Sequence, residues 1–184
     1  MVADFDREGW RTNSGEPFGT WDHDPDDKTQ FCRARLVEEP RVGNVGYSLM
    51  LEYDVASPNP AYNGFWMKLP PIPLHDFRVI SFAIKGDPGR AFTHRVKLEL
   101  KDHRHAAVYI LDGILTTWVR MRIPLKAFRD IEKITAATEF VIVFDDQTVT
   151  QKVGAIYLDE VAFENSEHRV SSTVAPSVAK WQSD

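Results

Sequence analysis

RVKLELKDHRHAAVYILDGILTTWVRMRIPLKAF, residues 95–128, alternates between apolar and polar residues over most of its length. In its first run Val96, Leu98 and Leu100 interleave with Arg95, Lys97, Glu99 and Lys101. Successive side chains of a strand point to opposite faces, so this pattern predicts a strand with one buried face and one wet face. The run TWVRMRIPL repeats it, with Val119, Met121, Ile123 and Leu125 set against Trp118, Arg120 and Arg122. Between the two, AAVYILD reads as a third strand, bounded by the polar KDHRH and by Gly113.

Further strands are predicted on both sides of this stretch. VADFD reads as a short first strand, and residues 9–30, rich in Gly, Pro, Asn and Asp, as a long loop. FCRARLVEE and GYSLMLEYDV follow, the second with Tyr47, Leu49, Leu51, Tyr53 and Val55 on one face. GFWMKL puts Phe65, Met67 and Leu69 opposite Trp66 and Lys68. PPIPL is excluded from a central strand or helix, because proline has no N–H to give a ladder. FRVISFAIKG, the continuous apolar run of EFVIVFDD and the closing GAIYLDEVAF complete the set. PLKAFRDIEKI is the one helical prediction, with Leu125, Phe128 and Ile131 at helical spacing. Many short strands separated by turn residues, with long crossings, predict an all-β jelly-roll sandwich. Residues 1–165 are read as one domain and 166–184 as a C-terminal tail.

At 184 residues, with 43% hydrophobic and 27% charged content, the chain has the composition of an ordinary globular domain. A net charge of −5 argues against non-specific nucleic-acid or anionic-membrane binding, and no apolar run approaches the roughly 20 residues of a membrane span. No signal core stands at the start. The lone Cys32 excludes an internal disulfide and reads as a small core residue.

Trp66 sits opposite its strand's apolar residues, so its indole is predicted to reach the polar face. A sugar site needs flat aromatic surface for pyranose faces and planar polar groups for hydroxyls. Trp66, with Tyr62 and Tyr109 behind it, supplies the first, and Arg95, Lys97 and Glu99 the second. The competing reading is a solvated face whose charges pair across strands. Trp118 is assigned to packing.

Several phrases of the chain resemble a known family. GYSL-LEYDV, GFW-KL, ISFAIKGD, VKLELKD, W-V-R-M-R-IPL-AF and IYLDEVAF are similar to carbohydrate-binding modules of the galactose-binding-like jelly roll, family eleven in particular. The W-to-IPL phrase is shared with the thirty-kilodalton complex I intermediate-associated proteins. The resemblance spans residues 3–163 and implies a non-catalytic module that grips a polysaccharide. It also implies a secreted or periplasmic setting, as a monomer or as one module of a larger protein. Such modules often hold structural calcium between the acidic ends of the first and last strands. The matching positions are Asp4 or Asp6 with Asp159 and Glu160.

Other constellations carry less. Asp22, Asp24 and Asp26 mimic the start of an EF-hand, but Asp27 stands where its glycine belongs and Arg33 where its final glutamate does. His103 and His105 have no further ligands at zinc spacing and read as a polar hairpin. GxSxG, HExxH, P-loop and dinucleotide fingerprints are missing, and no carboxylate pair among 27 acids stands out for glycoside cleavage. Three readings result: a carbohydrate-binding module, an assembly domain of the complex I type using the same face, and, ranked last, a jelly-roll hydrolase or lyase.

Overall fold

The computed structural model describes residues 1–7 and 9–165, and the predicted tail with Trp181 lies outside the described residues. Ten strands run as β1 (Phe18–Asp22), β2 (Phe31–Val37), β3 (Ser48–Asp54), β4 (Tyr62–Pro73), β5 (Val79–Gly86), β6 (Arg95–Lys101), β7 (Ala106–Asp112), β8 (Val119–Pro124), β9 (Ala136–Asp145) and β10 (Val153–Glu164). They form two antiparallel sheets, ordered β1-β4-β9-β6-β7 and β2-β3-β10-β5-β8. Neighbours in each sheet are mostly distant in sequence, as the long crossings of a jelly roll require. No helix of the described residues is long and apolar enough to cross a membrane.

The predicted alternation explains the core. Leu49, Leu51 and Tyr53 of β3 meet Phe65 and Met67 of β4, Val96, Leu98 and Leu100 of β6, and Phe140, Ile142 and Phe144 of β9, all fully buried. Burying each such side chain stabilises the fold by roughly 1.5–3 kcal/mol. Tyr53 stacks on Phe144 at 4.1 Å between ring centroids, with the planes 5° apart, which joins the two sheets. The Tyr53 hydroxyl donates to the Gln151 carbonyl at 3.1 Å. The continuous apolar run of β9 is buried on both faces from Phe140 to Phe144.

Four local expectations change. VADFD makes only a single bridge, Ala3 to Val161, beside a bulge in β10 where Glu160 takes a left-handed φ of 49°. The loop predicted over residues 9–30 contains β1. PPIPL does enter a strand: between Lys68 and Ile72 of β4 the register against β9 shifts, so Pro70 and Pro71 fall in a bulge that asks nothing of their missing N–H groups, and Pro73 ends the strand opposite Ala136. The predicted helix over residues 124–134 is two separate 3-10 turns, Leu125–Ala127 and Ile131–Lys133. Phe128 is extended and Asp130 is left-handed at φ 67°, so the helical path breaks twice. Leu125 and Phe128 are buried as their spacing predicted.

Candidate functional site

The outward face of the β1-β4-β9-β6-β7 sheet is built by register. Directly opposed residues of antiparallel strands share a face. Gly19 of β1 opposes Trp66 of β4, which opposes Val141 of β9, which opposes Glu99 of β6, which opposes Val108 of β7. The next row runs Trp21, Gly64, Val143, Lys97 and Ile110, and the row on the other side runs Lys68, Glu139, Lys101 and Ala106. Trp66 and the RVKLE run therefore share one surface, with β9 lying between them.

Two indoles lie across the strands at one end of this surface. A Cβ added at Gly19 would stand 3.0 Å from Trp66 Cζ2, and one added at Gly64 would stand 3.1 Å from Trp21 Nε1. Each tryptophan thus occupies the space left by a glycine of the neighbouring strand, the cross-strand filling of a glycine by an aromatic ring. Tyr62 continues the aromatic patch. It meets Trp21 edge to face at 5.8 Å, and His23 stacks on it at 3.9 Å.

Beyond the indoles lies a balanced set of charges. Lys68 pairs with Glu139 and holds its ammonium 5.8 Å from the Trp66 ring centroid. Lys101 bonds Glu99 at 2.8 Å, while Lys97 lies 3.7 Å from Glu99 and 3.8 Å from Asp145. Trp21, Trp66, Lys68, Lys101, Glu139 and Val141 line a cavity of about 380 Å³. Lys68, Lys101 and Glu139 also line a second of about 460 Å³, which reaches Pro71 in the β4 bulge, Thr138 and His103. The two make one groove that leads from the indoles to the end of the sheet.

Of the predicted sugar-site residues, Trp66, Tyr62, Lys97 and Glu99 come together on this face. Arg95 also lies on it, but at its far end, where Nε and Nη2 both bond one oxygen of Asp112, at 2.9 and 2.5 Å. That bond holds the Asp112 carboxyl below its usual range. Tyr109 is a correction: it opposes the fully buried Leu98 and packs against Phe128 at 5.5 Å, so its ring faces the core, away from Trp66. Trp118 packs with Met50, Ala155 and Tyr157 on the outside of the other sheet, in keeping with a packing role. Trp21 is the residue that sequence reasoning missed. FGTWD does alternate, but it is five residues long and flanked by Pro17 and the Asp/Pro-rich HDPDD.

Asp4 and Asp6 stand close enough to Asp159 to act on its charge. Asp159 is 1% exposed, and its carboxyl is pushed up to about 7, chiefly by burial, with Asp6 and Asp4 adding repulsion. Its oxygens accept from the Val42 and Glu160 amides at 2.9 and 2.7 Å, and Asp4 accepts from the Asn13 amide at 2.6 Å. Among the described residues no group of three or more acidic, histidine or cysteine side chains is arranged to hold a metal ion. A cation here would draw on this crowded charge and take its remaining oxygens from carbonyls and water. Elsewhere Asp27 ties the loop before β2 to the loop before β4, accepting from Thr29, Gln30, Ser57 and Asn59, and the bonds from Thr29, Gln30 and Ser57 hold its carboxyl far below the usual range. His105 bonds Asp102 in the β6–β7 turn, as a polar hairpin would.

No protein-family model and no curated protein matches the chain. Solved structures do. The chain is similar to the family 11 carbohydrate-binding module of the cellulosomal cellulase Lic26A-Cel5E of Clostridium thermocellum, with a TM-score of 0.64 at 16% identity, covering 91% of this chain and 96% of that one. The family 11 module from the same organism in complex with a β-1,3-1,4-mixed-linked tetrasaccharide matches with a TM-score of 0.64 at 16% identity, over 90% of this chain and 95% of that one. An exo-β-agarase matches with a TM-score of 0.60 at 9% identity, over 92% of this chain but 25% of the enzyme. These likenesses establish the architecture: a jelly-roll β-sandwich with the fold of a carbohydrate-binding module.

Proposed function

We propose that this protein is a non-catalytic carbohydrate-binding module that holds a polysaccharide chain in the groove on the outward face of the β1-β4-β9-β6-β7 sheet. The observation that carries the reading is the pair of indoles, Trp21 and Trp66, laid over Gly64 and Gly19 beside an open cavity. Flat aromatic surface held rigid and facing solvent suits the apolar face of a pyranose ring. Lys68, Lys97, Lys101, Glu99 and Glu139 stand next to it as hydrogen-bonding partners for hydroxyls, with Tyr62 at the end of the aromatic patch. The carboxylates of this face are engaged by lysines, an arrangement of a structural network and not of an acid–base pair across a scissile bond. The family 11 fold and the bound tetrasaccharide of one such module support the same reading.

Structural calcium belongs to this proposal as a second part: the three aspartates do not stand as a ready ligand group, but a cation drawn to Asp159 by the charge of Asp4 and Asp6 would neutralise crowded carboxylates and tie the N-terminal segment to β10. For the sugar site, affinity electrophoresis through gels cast with β-glucan, xylan, cellulose derivatives and agarose is the test. Retardation by at least one glycan is expected, and Trp66→Ala and Trp21→Ala should each weaken it by about tenfold, the loss typical of truncating an aromatic anchor. A chain that migrates unretarded through every gel would overturn the proposal.

A further inference from the structure

A second groove opens on a different surface, where β1 meets β2. It has a volume of about 410 Å³ and is lined by Trp10, Thr20, Arg33, Ala34, Arg35 and Glu52. None of these residues lines the groove that carries Trp21 and Trp66, so the two are separate.

Its chemistry differs too. Trp10 is 48% exposed, although its ring is anchored on Phe18 at 5.4 Å between centroids. An exposed indole braced from behind is a stacking platform rather than a core residue that failed to bury. Arg33 stands across the ladder from Glu52, yet Glu52 is engaged by Arg90 at 2.8 Å and by Arg35 at 3.7 Å. Among the described residues no carboxylate pairs with Arg33, whose guanidinium lies 4.4 Å from the Phe31 ring centroid. Two arginines thus line the groove against one carboxylate that a third arginine already shares. On the other face, by contrast, Lys68, Lys97 and Lys101 are matched by Glu99, Glu139 and Asp145.

We propose that this groove is a second saccharide site, specific for an anionic sugar. The pyranose face stacks on Trp10, and the carboxylate or sulfate it carries bonds the forked N–H groups of Arg33, with Arg35 adding charge. Planar guanidinium donors match the paired oxygens of such groups, and bonds of this kind are the strong ones. The proposal does not rest on the Trp66 groove, and either site can fail without the other.

Affinity electrophoresis at 0.15 M NaCl through gels cast with polygalacturonate, carrageenan or neutral β-glucan tests it. Retardation by an anionic glycan is expected, and the first two gels distinguish a carboxylate-bearing ligand from a sulfated one. Arg33→Gln should weaken that retardation about tenfold or more and leave β-glucan migration unchanged. Trp10→Ala should act likewise, and Trp66→Ala should leave the anionic gels unaffected. Should Trp10→Ala fail to fold, Arg33→Gln decides alone. No retardation by either anionic glycan, or an affinity unmoved by Arg33→Gln, would overturn the proposal.

Discussion

The indole of Trp66 rests on Gly19, its partner across the β1–β4 ladder: a methyl group there would stand 3.0 Å from Cζ2 and 3.2 Å from Cε2. The contact is tight against a side chain and not against backbone, so Gly19→Ala should lift the ring by a few tenths of an ångström while leaving the fold intact. The expected outcome is a several-fold loss of glycan affinity with little change in melting temperature. Gly64→Ala should behave differently. Its methyl would meet the Ile142 carbonyl at 2.3 Å as well as Trp21, forcing β4 away from β9. Loss of about 1–3 kcal/mol of stability is expected there, in line with overpacked sites, and paired denaturant melts separate the two cases.

Tyr109→Ala should act on stability and not on the site. The ring packs on Phe128 and the core below Leu98, so its removal should cost about 2–4 kcal/mol in urea unfolding, somewhat under the usual cost of deleting a fully buried aromatic. Glycan affinity of the folded fraction should stay unchanged. A selective affinity loss with normal stability would return Tyr109 to the binding face.

Lys68→Met tests the charges beside the indoles. Lys68 is exposed and its pair with Glu139 sits at the surface, so the expected stability change is under about 1 kcal/mol. Glycan affinity should drop, because the ammonium lies beside the Trp66 ring at the junction of the two cavities. Titration calorimetry against the strongest-binding glycan measures it.

Asp159 predicts a pH dependence. Its carboxyl is raised to about 7 in the folded chain from an ordinary 3.8, so the folded state holds a proton that the unfolded chain releases. This contribution is fully present below pH 4 and is lost as pH rises through about 7. In chelator the melting temperature should fall between pH 5 and pH 8, and Asp159→Asn should flatten that fall. Calcium, competing with the proton, should restore stability at pH 8 far more than at pH 5. A melting temperature indifferent to calcium at both pH values would remove the metal from the proposal.

Much of the fold was legible because strands have a period of two. The alternation in β4 and β6 put Trp66, Lys97 and Glu99 on the outward face and Phe65, Leu98 and Leu100 in the core, as the structure has them. Tyr109 went astray because AAVYILD is apolar on both sides. Ala107, Tyr109 and Leu111 turned inward while Val108 and Ile110 faced out, and only pairing with β6 decides between the two. Trp21 was hidden by composition: β1 gains its strand character from pairing with β4, not from its own residues. Pro70 and Pro71 were misjudged because a bulge is a property of two strands in register and leaves no mark on one of them.

Strand β9 has a consequence for motion. Val141 and Val143 form the floor between the indoles and the lysines, while Phe140, Ile142 and Phe144 of the same strand fill the centre of the sandwich. The floor therefore has no opening motion of its own, since freeing it would pull apart the core. Amide hydrogens of residues 140–144 should exchange only through global unfolding, while those of edge strand β7 exchange through smaller local openings.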